Sequence, residues 1–225
     1  MIYTIDLLSP QTLDKILKIY HSAPFKEGQM TNPNNKFEKR LQSDVKHVLQ
    51  MDDEYYLQEC HKLIYGEITN NQQFHDYTIP KMYDGVNLLE YKPGMKYNLH
   101  NDHYLMGKSR ADYSCTIFLN SPEEYEGGEL VLGVGNTDVS YKLNAGQCLI
   151  YPTGLKHRVN EVTSGSRKVI VLWIQSCIQD TRLRAVYQEV VMLINNHQNY
   201  ITENKNLLDD LISVKYNILR NFGTF

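Results

Sequence analysis

Residues 129–154 read ELVLGVGNTDVSYKLNAGQCLIYPTG, and their punctuation decides the fold. Three short runs, ELVLG, DVSYKL and QCLIY, are rich in the β-branched and aromatic residues that favour strands. Gly133, Gly135 and Asn136 break the first two apart, and Asn144 and Gly146 the last two. No helix-length segment separates the runs, which disfavours a parallel α/β sheet. The same pattern extends both ways. Upstream lie VNLLEY (86–91), KYNLH (96–100) and DYSCTIFL (112–119), broken at Pro93-Gly94 and Gly127-Gly128. Downstream, after Thr153-Gly154 and Ser164-Gly165, comes RKVIVLWI (167–174). About seven short strands at this spacing predict a sandwich or barrel.

The flanks are helical. Ser9-Pro10 has the form of an N-cap with proline at the first helical position, and Leu13, Ile16, Leu17 and Tyr20 follow at helical spacing, so a helix is expected from Pro10 to Tyr20. Pro24 to Lys36 is polar and turn-rich, a loop. A second helix is expected from Asp52 to Tyr65, with Tyr56, Cys60, Leu63 and Ile64 on one face. After Asp180 two apolar stripes, Leu183 to Ile194 and Leu207 to Leu219, return to helical spacing. The expected organisation is one structural domain: an N-terminal helical support over 1–85, a β core over 86–178, and C-terminal helices over 179–225, which offer a contact surface for a homo-oligomer.

Composition narrows the function. Of 225 residues, 23 are Lys or Arg and 26 Asp or Glu, so no basic field exists to attract a nucleic-acid backbone, and nucleic acid is not implied as a partner. The first residues lack a basic n-region with an apolar stretch behind it, and no segment approaches bilayer-spanning length; no membrane association and a cytoplasmic location are expected. Cys60, Cys115, Cys148 and Cys177 form no CxxC pair and are expected to be buried thiols.

His100 and Asp102 stand two residues apart, and in an extended strand such side chains share a face where one metal could bridge them. Alone this is weak. His157 follows the run QCLIYPTG, and a closed antiparallel sheet could return it beside the first pair. Two histidines and a carboxylate are the facial triad that suits non-haem Fe(II) and leaves coordination positions open, although zinc can use the same ligands. Arg167 leads the strand RKVIVLWI, on the face of Val169, Val171 and Trp173. Burying it requires an anionic partner, either the carboxylate of a ligand or a nearby Asp or Glu. Ser114 and Thr116 share a strand face and could turn hydroxyls to a pocket or simply pack. His103 and Arg158 adjoin metal candidates but point the opposite way along a strand.

The strings YKPGMKYNLHND, DYSCTIFLNSPEEYEGGELVL, LNAGQCLIYPTGLKHRVNEVTSGSRKVIVLWIQS and KYNILRNF together resemble the prolyl 4-hydroxylase-like 2-oxoglutarate/Fe(II) oxygenases, and the bacterial PKHD-type hydroxylases in particular. The resemblance runs from Tyr91 to Ser176 and again in the C-terminal helix; the first 85 residues match loosely. It implies a double-stranded β-helix (a cupin-like jelly roll) flanked by helices. It implies that His100, Asp102 and His157 hold Fe(II), that Arg167 pairs with the distal carboxylate of 2-oxoglutarate, and that O2 is the oxidant, with ascorbate as reductant. Tyr91 would approach 2-oxoglutarate and Tyr97 would line the substrate side, where a core or rim aromatic is the alternative. The implied reaction hydroxylates a prolyl, other peptidyl or amino-acid group, or another small molecule, while 2-oxoglutarate goes to succinate and CO2. The loop from Phe25 to Lys36, in the loosely matching segment, would shape access. A cupin-like zinc hydrolase and a non-catalytic jelly-roll module are the rival readings.

Overall fold

Alternate residues of the last long strand face different environments. Ile170, Leu172 and Ile174 enter one apolar cluster, while Arg167, Val169, Val171 and Trp173 face the opposite way, as a strand's period of two requires. The computed structural model describes residues 1–27 and 46–225. Its strands are β1 (Tyr3–Asp6), β2 (Phe25–Glu27), β3 (Lys46–His47), β4 (Leu49–Met51), β5 (Pro80–Tyr91), β6 (Lys96–His100), β7 (Leu105–Met106) and β8 (Ser109–Arg110). Then follow β9 (Tyr113–Phe118), β10 (Tyr125–Gly127), β11 (Leu130–Val134), β12 (Thr137–Tyr141), β13 (Gln147–Pro152), β14 (His157–Val159), β15 (Val162–Gly165) and β16 (Arg167–Ser176).

The larger sheet runs β1-β13-β9-β16-β5-β4-β2 and the smaller one β12-β11-β14-β6-β3, with β10-β15 and β7-β8 as short ribbons. Every pairing among the described residues is antiparallel. Leu89, Phe118, Leu149 and Val169 of the larger sheet meet Leu130, Leu132 and Val159 of the smaller one, making the filling of a jelly roll. On the outer face of the larger sheet, Cys115, Ile117, Cys148, Ile150 and Leu172 pack on Ile16, Tyr20, Cys60, Ile64 and Ile68 of two helices, Pro10–Ser22 and Glu54–Asn70. Each fully buried aliphatic or aromatic side chain in these clusters contributes roughly 1.5–3 kcal/mol. The C-terminal helices Thr181–Asn196, Gln198–Glu203 and Lys205–Phe222 add a third cluster, with Tyr187, Val191 and Ile218 over Ile79, Cys177 and Ile178.

Asp112 ties these layers together. Its buried carboxylate accepts from Arg110 Nη2 at 2.8 Å and from the Ser176 amide at 2.9 Å, while Nη1 of Arg184, from the first C-terminal helix, lies 2.7 Å away as a charge contact without hydrogen-bond alignment. Two arginines around one buried carboxylate satisfy a charge that would otherwise oppose folding.

Differences from the sequence expectations have local causes. The second helix starts after Asp53, whose side chain caps the amides of Tyr55 and Tyr56, and runs on to Asn70. β5 begins at Pro80 rather than Val86 because β16 pairs with it as far as Ser176 opposite Pro80. The first 85 residues, expected to be helical, also supply β1 to β4; strands of two to four residues are too short to show periodicity. Of the expected loop Pro24 to Lys36, Phe25–Glu27 is strand β2 and residues 28–36 lie outside the described residues. All four cysteines are buried free thiols. Among the described residues, no helix is long and apolar enough to cross a membrane.

Candidate active site

β6 ends at His100 and β14 begins at His157, and the register sets these residues directly opposite each other, with ring centroids 4.2 Å apart. Asp102 comes to them by a different route from the one expected. The strand stops at His100, so alternation does not place Asp102; two hydrogen bonds do. Ser114 Oγ on β9 and Trp173 Nε1 on β16 both donate to Asp102 Oδ2, at 2.7 and 2.9 Å. Oδ1 is left 3.7 Å from Nε2 of His100 and 3.7 Å from Nε2 of His157. The other ring nitrogens lie against backbone carbonyls, His100 Nδ1 at 2.7 Å from Asn98 O and His157 Nδ1 at 2.9 Å from Leu155 O. A carbonyl only accepts, so each Nδ1 carries a proton and each Nε2 is the ring nitrogen turned toward Asp102. One ligand atom from each residue lies within 4.8 Å of the other two.

The charges suit a cation. Burial would raise the Asp102 carboxyl, but interactions with His100 and His157 and the Ser114 hydroxyl outweigh it and hold it at about 2. Burial keeps His157 below the usual histidine value, against the pull of Asp102, so its ring is neutral near pH 7. Two imidazoles pre-oriented by backbone carbonyls, with one ionised carboxylate, are a donor set that fits Fe(II).

Arg167 opens β16 directly opposite Tyr91 on β5 and is 1% exposed. Its guanidinium carbon lies 5.0 Å from the Tyr91 ring centroid and 5.5 Å from that of Phe118. The Asp or Glu partner allowed for in the sequence is missing: arginine ion pairs among the described residues use Arg110, Arg158, Arg182 and Arg184, and Arg167 Nε is buried without a hydrogen-bond partner. A buried cation held by aromatic faces, with no acid paired to it among the described residues, can receive a carboxylate from outside the chain, and so fits 2-oxoglutarate. A zinc hydrolase or a binding module would leave this arginine unexplained. Gly128 makes room for it, since a Cβ there would stand 3.1 Å from Arg167 Cδ.

Comparison with known proteins agrees with this geometry. Residues 86–175 match the family model for the 2OG-Fe(II) oxygenase superfamily. A PKHD-type hydroxylase of Picosynechococcus sp. is 36% identical over 180 residues, 80% of this chain and 80% of the relative. Another, from Crocosphaera subtropica, is 33% identical over 229 residues, covering 99% of this chain and 100% of the relative. The chain belongs to the PKHD-type hydroxylases of the 2OG-Fe(II) oxygenase superfamily. It is therefore an oxidoreductase, a dioxygenase whose cofactors are Fe(II) and 2-oxoglutarate with O2 as oxidant. In fold it is similar to a Pseudomonas putida prolyl-4-hydroxylase (TM-score 0.51, 14% identity, 78% of this chain and 92% of that one). It is also similar to a Burkholderia pseudomallei 2OG-Fe(II) oxygenase (TM-score 0.54, 11% identity, 77% and 84%).

In this PKHD-type hydroxylase one pocket of about 630 Å³, counting space open to solvent, holds all the sequence candidates together: His100, Asp102, His157, Arg167, Tyr91 and Tyr97. The Tyr97 ring stacks on His100 at 3.6 Å. Burial raises the Tyr91 phenol to about 12, with Arg167 pulling it back and Asp102 adding to the rise, so it stays a hydrogen-bond donor. Ser114 and Thr116 both line the pocket. Arg158 instead pairs with Asp138 at 2.8 Å, and His103 turns to the Leu105 backbone at 3.0 Å. Among the lining residues not singled out from the sequence as pocket groups are Trp173, Tyr151, Gln50 and Asn87. Period two already put Trp173 on the Arg167 face, but its bond to Asp102 spans 71 residues of sequence. Burial holds Tyr151 well above the usual tyrosine value, so it too is a neutral phenol.

Proposed function

We propose that His100, Asp102 and His157 hold the Fe(II), that Arg167 holds the distal carboxylate of 2-oxoglutarate, and that Tyr91 donates to the same co-substrate. The observation that carries this reading is a buried, acid-free arginine in one pocket with two imidazoles and a carboxylate whose ligand atoms converge. With Fe(II) and 2-oxoglutarate bound, O2 would be the oxidant: one of its oxygen atoms turns a substrate C–H into C–OH and the other enters succinate as 2-oxoglutarate loses CO2. The chain's own residues do the rest. Asp102 offers Oδ1 because Ser114 and Trp173 occupy Oδ2. Arg167 orients a carboxylate with parallel N–H donors. Leu89, Leu130, Val159 and Val171 keep the walls apolar and limit water. Tyr97 buttresses His100 and forms the wall on the substrate side.

Residues 86–178 serve as the catalytic core in this reading, with 1–85 and 179–225 as supports and the C-terminal helices as a surface for self-association. The acceptor is an amino-acid, peptidyl or related small-molecule group, proline included; ascorbate keeps the iron reduced, and the enzyme works in the cytoplasm. The direct test is succinate formation from 2-oxoglutarate by protein loaded anaerobically with Fe(II), then exposed to O2 with and without a substrate panel. His157→Ala and Asp102→Ala should lose iron binding and succinate together while keeping a cooperative melt. Retained turnover in either variant overturns the ligand assignment.

A further inference from the structure

We propose that Gln50 is a specificity-determining residue, whose side-chain oxygen accepts a hydrogen bond from an amide or ammonium N–H of the substrate. The inference rests on reading the pocket as the oxygenase site. Gln50 on β4 stands opposite Leu89 on β5, and Asn87 on β5 opposite Val171 on β16, so both amides share the sheet face that carries Arg167 and Trp173.

The orientation of these amides is fixed at one end by backbone. The Gly85 carbonyl can only accept, so the group 2.6 Å from it is the Asn87 NH2. Asn87 Oδ1 then faces Gln50, whose Nε2 donates to it at 2.7 Å. Gln50 Oε1 is the end of the chain, an acceptor with no partner among the described residues. Turning the Gln50 amide over would set two oxygens against each other, so the relay holds Oε1 outward.

Gln50 is also a wall of a second groove, of about 500 Å³ counting space open to solvent, which Lys26, Glu27 and Asp52 line with it among the described residues. Lys26 is paired there with Asp52 at 2.9 Å. An acceptor at the junction of pocket and groove favours N–H donors over carboxylates, whose oxygens have no proton to give. β4 lies two strands from β16, roughly 10 Å at about 4.8 Å per strand. The N–H and the hydroxylated carbon are therefore several bonds apart on one substrate, with one end in the inner pocket and the other in the groove.

The experiment presents a panel of free amino acids and capped dipeptides to the Fe(II)- and 2-oxoglutarate-loaded enzyme, and scores succinate and the mass gain of one oxygen. Each compound that is hydroxylated is compared with its N-methylated counterpart. The wild type should prefer the N–H form in kcat/KM by about three- to tenfold, the usual net worth of one neutral hydrogen bond. Gln50→Leu should lower that ratio to about one. Being a ratio, the readout does not depend on the folded or iron-loaded fraction. The proposal is overturned if Gln50→Leu keeps the preference, if the wild type shows none, or if no N–H compound of the panel is hydroxylated while iron-dependent succinate still forms. Absence of iron-dependent succinate in the wild type brings down the oxygenase reading itself, and this proposal with it.

Discussion

Trp173→Phe tests how the carboxylate of the triad is held. The indole Nε1 is one of two donors on Asp102 Oδ2, at 2.9 Å beside Ser114 Oγ at 2.7 Å. Phenylalanine keeps a ring on the Gly85 side, where a Cβ would stand 2.6 Å from Trp173 Cε3, and deletes the donor. A hydrogen bond to a charged acceptor is worth about 1.5–3 kcal/mol, and loss of a group that orients a metal ligand typically costs about 10- to 100-fold in metal affinity. Since Ser114 still grips Oδ2, the single variant should fall near the lower end, about tenfold or 1.4 kcal/mol. Ser114→Ala should cost about as much. The double variant should lose more than the sum, because only then is the carboxylate free to turn. Anaerobic titration with Fe(II), or with Co(II) against a chelator, reads these affinities, and metal-free melts control for packing loss. If Trp173→Phe binds metal within twofold of wild type, the carboxylate is not positioned in this way.

Arg167→Ala should weaken 2-oxoglutarate binding by about 10- to 150-fold, and Arg167→Lys should recover only some of it, because an ammonium cannot make two parallel bonds; anaerobic calorimetry with Mn(II) decides this, and undiminished affinity removes the assignment. Gly128 has φ +68°, and a Cβ there would stand 2.9 Å from Val162 Cγ2 and 3.1 Å from Arg167 Cδ. Gly128→Ala should therefore cost about 1–3 kcal/mol, several degrees in Tm, and also loosen 2-oxoglutarate; a variant matching wild type in both would contradict the crowding. Glu67 accepts from the Ser9 amide at 3.1 Å and from the Ser9 hydroxyl; burial would raise its carboxyl, but interactions with Ser9 and Thr12 outweigh this and lower it from the ordinary 4.5. A lowered folded value means that its contribution is present above pH 4.5 and lost as pH falls below it, so Glu67→Gln should flatten the acid side of the stability profile there. Parallel wild-type and variant curves below pH 5 would refute it.

Much of this protein is legible in its amino-acid sequence. Turn residues spaced between β-rich runs specify antiparallel strands, because those signals are local and concern φ, ψ and short-range packing. The same alternation put Arg167, Val169, Val171 and Trp173 on one face, as the structure has them. Meeting of His100 and His157 was readable too, since closure of an antiparallel sheet returns β14 to β6.

Other features belong to the tertiary structure alone. Strand geometry does not bring Asp102 to the histidines; donors 12 and 71 residues away in sequence do, and no local pattern encodes such a meeting. Whether Arg167 had an acid partner could be decided only when every nearby carboxylate had a position, and among the described residues none pairs with it. The short strands β1, β2, β3 and β4 exist because neighbours supply their hydrogen bonds, and so Gln50 enters the pocket from a segment that reads as a connection. The sequence by itself determined which residue types could bind a metal and a carboxylate and on which strand faces they stand. The tertiary structure decided which atoms those residues present, because hydrogen-bond partners are set by nonlocal contacts that form only on folding.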